Sequence, residues 1–164
     1  MPVVPRVQKK FRETKFFFGH MSQSAGSTRL DHDHLEFYLS AFLSAARSVT
    51  DFFEYQAWWS QWKASQSPED ILLLKQMKEQ RDSEVHEEGA DVSHQAEDVP
   101  ISKIETPSGL HAAYAPSFGE PWGEVKVGMK VYYFMLEGKA VPVVETCQRY
   151  VGLLERAVED FGKS

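Results

Sequence analysis

Between Leu35 and Phe53 the apolar residues recur at intervals of three and four: Leu35, Tyr38, Leu39, Phe42, Ala46, Val49 and Phe53. Side chains at that spacing lie along one side of a helix with 3.6 residues per turn. A stripe this rich in aromatic and branched residues must be covered by other elements. The chain is thereby committed to a helical core packed around this segment. Asp31 or Asp33 is the expected cap, and the helix is predicted to run to about residue 54. Ser44, Ala45 and Ser48 would let a neighbouring helix approach closely.

Other segments supply the partners. Val7, Phe11, Phe18 and Met21 share a face, which predicts a first helix over 6–24, with Pro5 suited to its first turn and Gly26-Ser27 breaking it. Tyr55, Trp58, Trp59 and Trp62 follow the central helix without Gly or Pro, as a short separate helix or as its extension. Their tryptophans are read as packing rather than as a platform for bases. Ser67-Pro68-Glu69-Asp70 is a helix start, with Ser67 as cap, Pro68 in the first helical position and acids at the positive dipole end. That helix is predicted to turn Ile71, Leu74, Met77 and Val85 inward and to reach about 86, with Gly89 ending it. A last helix is predicted from near Pro142, with Cys147, Tyr150, Val151, Leu154, Val158 and Phe161 as its stripe and Gly162 closing it.

Helical periodicity is lost between the last two helices. Residues 87–100 are acidic and weakly patterned, and are predicted to form a loop. Five of the ten Gly and three of the eight Pro lie in 101–140. Short strands are predicted at Ile101–Glu105 and Lys130–Leu136, with 106–124 irregular. The expected fold class is mainly α: a four- to five-helix up-and-down bundle with a small antiparallel β-insertion before the last helix. A single domain over 1–164 is expected, because the insertion at 101–140 is too small and too glycine-rich to hold a core of its own.

Composition limits the function classes. The formal net charge is −6, which argues against a broad nucleic-acid-coating surface but not against a local basic site. Residues 6–15 hold Arg6, Lys9, Lys10, Arg12 and Lys15 against Glu13 alone, whereas 79–98 hold eight acids against Arg81. These segments are either solvated faces or faces that pair, or the basic helix contacts a polyanion. Cys147 is the single cysteine, so no intrachain disulfide can form and a reducing compartment fits. No apolar run approaches the length of a membrane span, and the N-terminus lacks the apolar core of a signal peptide. A cytoplasmic location is expected.

The densest chemistry is Arg81-Asp82-Ser83-Glu84-Val85-His86. It places a permanent cation, a carboxylate and an imidazole within one and a half turns, enough to bind a phosphate and move a proton near neutral pH. Asp82 and His86 are four apart and share a helix face, so the carboxylate can fix the imidazole tautomer. Arg81 and His86 are five apart, about 140° around an ideal helix. They converge only if the helix bends or another chain contributes, which suggests a site completed across a dimer axis.

An all-α bundle whose third long helix ends in Arg-polar-x3-His resembles the HEPN superfamily, through Arg81, Asp82 and His86. The resemblance covers the helices, roughly 6–86 and 142–162. It implies a metal-independent endoribonuclease, a homodimer in which two motifs form one cleft, and a role as toxin or defence component, with an antitoxin protein as a further partner. His86 would be general base or acid for attack of an RNA 2′-hydroxyl, Arg81 would stabilise phosphate charge, and Asp82 would orient His86. The β-insertion departs from that pattern, as do Glu84, Glu87 and Glu88, whose charge should repel a phosphodiester. Some proteins of this kind are non-catalytic, which leaves a helical dimerisation or protein-binding module as the alternative.

The remaining motifs are weaker. Asp31-His32-Asp33-His34 offers metal-binding groups, with His20 or His94 as distant partners, but consecutive acids before a helix suit capping, and no Glu-x-x-His pair is present. A metal-dependent enzyme using His20, His32 and His34 is the third reading. Cys147 sits in an apolar stripe and is read as core. Ser108-Gly109-Leu110-His111 is too isolated for a triad, and no Gly-rich phosphate loop, Gly-x-Ser-x-Gly elbow or Cys-x-x-Cys pair occurs. No metal or cofactor is implied.

Overall fold

The computed structural model describes residues 4–25, 32–86, 92–100 and 126–163, with side chains placed for 5–25, 34–83, 92 and 131–163. Among them the chain order is α1 (Val4–Ala25), α2 (His32–Glu54), α3 (Ala57–Ala64), α4 (Pro68–His86), β1 (Val92–Pro100), β2 (Lys126–Leu136), β3 (Lys139–Pro142) and α5 (Val143–Lys163). The protein is mainly helical, with a small antiparallel sheet before the last helix.

The stripe of α2 is the centre of the core. Leu35, Leu39, Phe42, Ala46, Val49 and Phe53 are all buried, and α1, α3, α4 and α5 each touch this helix. Ring contacts give the directions. Phe18 meets Phe42 at 6.1 Å and His20 meets Tyr38 at 5.1 Å, so α1 and α2 run antiparallel. Phe42 meets Tyr150 at 6.4 Å and Phe53 meets Phe161 at 5.4 Å, so α2 and α5 run parallel. Two hydroxyls in these helices are buried without cost, because Thr14 donates to the Lys10 carbonyl and Thr50 to the Arg47 carbonyl, each at 3.0 Å.

The tryptophan segment is a separate helix. Gln56 N–H donates to the Phe53 carbonyl at 2.8 Å, so the chain turns at Tyr55-Gln56 before α3 begins. The turn folds α3 back onto the end of α2. Phe53 stacks on Trp59 at 5.2 Å, Trp59 on Trp62 at 5.0 Å, and Phe161 meets Trp58 edge-on at 5.4 Å. Trp62 also donates its indole N–H to Asp160 at 3.2 Å, tying α3 to α5. These rings are packing, as their sequence context suggested.

α4 opens as expected. Ser67 Oγ accepts the Asp70 N–H at 3.2 Å, and Glu69 and Asp70 occupy the first turn. Its inward face differs from the expectation. Leu73, Met77 and Gln80 are buried, Leu74 is half-buried, and Ile71 and Leu72 are 43% and 39% exposed. The apolar run Ile71-Leu72-Leu73-Leu74 is consecutive, so it covers every side of the helix and its spacing selects none. Packing made the choice. The expected inward position of Val85 and the stop at Gly89 lie outside the described residues, as do the capping side chains of Asp31 and Asp33 and the break at Gly26-Ser27.

The predicted loop over 87–100 is corrected in its second half, where 92–100 form β1. β1 pairs antiparallel with β2, from Val92 opposite Phe134 to Pro100 opposite Lys126. β2 begins four residues before its predicted start at Lys130. A third strand, β3, pairs antiparallel with β2 from Leu136 opposite Lys139 to Tyr133 opposite Pro142. Glu137 and Gly138 both have positive φ, 50° and 76°, the mirror-image turn that matches strand twist in a two-residue hairpin. β2 is central, and Pro100 and Pro142 lie at ends of the edge strands, where a missing N–H is tolerated. Tyr132, Phe134 and Leu136 alternate into the helical core, so the sheet shares that core. The predicted strand Ile101–Glu105 and the irregular segment 106–124 lie outside the described residues.

Core position dictates the cost of truncation. Phe53→Ala should destabilise by about 3–5 kcal/mol through lost burial and a residual cavity. Phe37→Ala, at a position 67% exposed, should stay within about 0.5 kcal/mol. Urea unfolding of both variants measures the difference.

Candidate functional site

α4 runs unbroken through His86, so the helical spacing of Arg81, Asp82 and His86 is kept. The helix does not bring Arg81 and Asp82 together. Arg81 is half-buried on the side of Gln80, whereas Asp82 is exposed, and neither forms an ion pair or hydrogen bond among the described residues. The separation follows from the roughly 100° step per residue. The His86 side chain lies outside the described residues, as does that of Glu84.

A residue overlooked in the sequence adjoins this site. Gln80 is 7% exposed, and its Oε1 is buried without a hydrogen-bond partner among the described residues. Arg81 Nε is in the same condition. A buried acceptor and a buried charged donor thus stand on consecutive residues, each unmatched. Leaving such groups unpaired costs about 1–3 kcal/mol each, more for a charged one. Both atoms are enclosed by the fold, so the unmet hydrogen bonds lie beneath the surface of α4. The signal in the sequence is a polar residue seven positions after Leu73 and three after Met77, on the buried face of α4.

Whether the basic segment is solvated or pairs with the acids of 79–98 is described for Glu79 and Asp82 alone, because the other acidic side chains of that stretch lie outside the described residues. Lys10 pairs with Glu13 at 2.7 Å and Lys15 with Glu155 at 3.2 Å, both outside that acidic stretch. Lys10, donating to the Glu13 carboxylate, holds it below the ordinary range. Arg6, Lys9 and Arg12 are exposed and form no ion pair among the described residues.

The metal reading gains no geometry. Among the described residues no group of three or more His, Cys, Asp or Glu is gathered to hold an ion. The His20 ring lies against Phe16 at 4.4 Å and stacks on Tyr38 at 5.1 Å. His34 is exposed, and the side chains of His32 and His94 lie outside the described residues, as does the whole of Ser108–His111. No described helix is long and apolar enough to cross a membrane.

Cys147 is fully buried in α5, and burial pushes its thiol well above the ordinary 9.0. Burial likewise pushes the Tyr150 hydroxyl far above 10.0, against a smaller downward effect of its hydrogen bond with Thr50. Both groups stay protonated in the fold at pH values where the unfolded chain ionises. Their contribution to stability is therefore full below about pH 9 and is lost as pH rises further. Melting temperature should fall between pH 9 and 11, and Tyr150→Phe should flatten the upper part of that fall. Native protein should leave Cys147 unreactive to a thiol reagent at pH 8, with one equivalent reacting after unfolding in guanidinium.

No family model, curated protein or solved structure matches the chain, so the functional reading rests on its own residues.

Proposed function

We propose that the protein is a HEPN-like helical bundle acting as a metal-independent endoribonuclease, as a toxin or defence component, with two copies completing one site. The observation that carries this reading is the Arg81 guanidinium at the end of α4, half-buried, with Nε lacking a partner among the described residues. A half-buried guanidinium that forms no ion pair among the described residues can still take a phosphate oxygen through its other N–H groups. His86 removes the proton from an RNA 2′-hydroxyl as that oxygen attacks phosphorus. The bond to the 5′-oxygen breaks, the leaving oxygen takes up a proton, and a 2′,3′-cyclic phosphate remains. Asp82 holds the imidazole in the tautomer that accepts the proton.

The homodimer follows from the angular separation of Arg81 and His86 on one helix. It is supported by the surface of α4, where Ile71 and Leu72 remain substantially exposed beside the buried Leu73. RNA is the substrate, and a cognate antitoxin protein is a further partner. A non-catalytic HEPN-like dimerisation or protein-binding module is the second reading. Exposed aromatics favour it: Phe16 at 58%, Phe37 at 67% and Tyr55 at 88%.

The two readings separate in one experiment. Purified protein is incubated with labelled single-stranded RNA in EDTA, beside Arg81→Ala and His86→Ala. Cleavage with cyclic phosphate ends, reduced about 100-fold or more by each substitution, is expected. Equal cleavage by parent and variants would remove α4 from the mechanism. A folded, dimeric parent that leaves every RNA intact would favour the non-catalytic module.

A further inference from the structure

A second surface feature lies away from α4. The antiparallel packing of α1 and α2 leaves a half-open groove of about 360 Å³ where the start of α1 meets the end of α2. Its volume is within the range of small-molecule sites, about 300–1,000 Å³. Arg6 and Lys10 stand on the α1 side, Ser48, Asp51 and Phe52 on the α2 side, and Tyr55 in the turn before α3.

These groups differ in what they can still bind. Arg6 is exposed and forms no ion pair or hydrogen bond among the described residues. Lys10 gives one contact to Glu13 at 2.7 Å and keeps further N–H donors. Asp51 is paired with Arg47 at 2.9 Å, so its charge is offset while its carboxylate retains acceptor capacity. Ser48 donates to the Ser44 carbonyl at 3.0 Å, which leaves its oxygen as an acceptor. Phe52 is half-buried, and Tyr55 is 88% exposed, the most exposed large hydrophobic residue among those described. The groove thus combines cationic donors, neutralised acceptors and an aromatic ring open to solvent.

We infer that this groove binds a nucleotide unit: a phosphate on Arg6 and Lys10, a base against Tyr55, and ribose hydroxyls or base amino groups donating to Asp51 and Ser48. Phosphate alone would leave the acceptors facing an anion, and an apolar ligand would leave the cations unmatched. A nucleotide satisfies all three kinds of group at once. The site does not depend on catalysis at α4. Its ligand is either a free nucleotide or one unit of a longer strand, since the chemistry is shared.

The full chain is titrated with AMP, GMP, CMP and UMP, with adenosine, with ribose 5-phosphate, and with a single-stranded RNA oligonucleotide. The proteins are the parent, Arg6→Glu and Tyr55→Ala, each checked for an unchanged circular dichroism spectrum. Arg6 and Tyr55 are exposed, so neither substitution should disturb the fold. Saturable binding is expected, weakened about tenfold or more by Arg6→Glu and by Tyr55→Ala, and weakened by salt. Mononucleotides that bind as well as the oligonucleotide identify a free nucleotide as ligand, whereas a strong preference for the oligonucleotide identifies a unit within a strand. Absence of saturable binding by every nucleotide probe at 10 mM would overturn the inference (about the weakest affinity worth calling a site). Binding that both groove substitutions leave unchanged would overturn it as well. Mononucleotide binding by the groove variants and RNA cleavage by the parent are measured separately, so failure of one reading is distinguished from failure of the other.

Discussion

α2 has apolar residues that must be hidden from several directions, and the other helices are arranged by that need. Phe42, Ala46, Val49 and Phe53 reach 0% exposure. α1 covers Phe42 through Phe18, α5 covers both ends through Tyr150 and Phe161, and α3 covers Phe53 through Trp59. Hydrophobic burial is non-directional, so it demands coverage without choosing partners. The choice comes from shape: flat rings at Phe53, Trp58, Trp59, Trp62 and Phe161 can be placed edge to face and face to face in few ways. The turn at Tyr55-Gln56 is the geometric result, since α3 must reverse to bring its rings onto α2.

α4 leaves much of its surface exposed. It buries Leu73, Met77 and Gln80, and its start is tied to α5 by Arg156 and Asp70 at 2.7 Å. An ion pair with Arg156 about half exposed adds little stability. The buried amide of Gln80 and the Nε of Arg81 subtract from it where they lack partners. A chain selected only for stability would place apolar groups there.

The helices were legible because periodicity and punctuation agree. Ser67-Pro68-Glu69-Asp70 announces α4, and the α5 stripe from Cys147 to Val158 is buried at each of its expected positions. The inward face of α4 was not legible, because four successive apolar residues, Ile71 to Leu74, carry no phase. β1 was hidden for another reason. Val-Ser-His-Gln-Ala-Glu-Asp-Val-Pro has little intrinsic strand preference, and its state is imposed by pairing with β2, whose aromatic and branched residues supply the preference. β3 was missed because Glu-Gly is an uncommon form of the hairpin turn that Asn-Gly or Asp-Gly would have marked. At the candidate site, the Arg81–Asp82–His86 spacing was visible, but the burial that separates Arg81 from Asp82 and exposes the deficit of Gln80 depends on which side of α4 faces the core.

The net charge of −6 does not decide what the surface can bind. Exposed charges more than about 10 Å apart are largely screened at 0.1 M salt, so a ligand responds to its immediate neighbours. Near the α1–α2 groove the acids are already engaged: Glu13 by Lys10, and Asp51 and Glu54 by Arg47. Arg6, Lys9 and Arg12 have no such partners among the described residues and supply the local excess. Composition therefore argues against a surface that coats nucleic acid, while leaving room for recognition of a single phosphate. In the groove, the cations Arg6 and Lys10, the acceptors Ser48 and Asp51 and the exposed Tyr55 ring lie around one small volume.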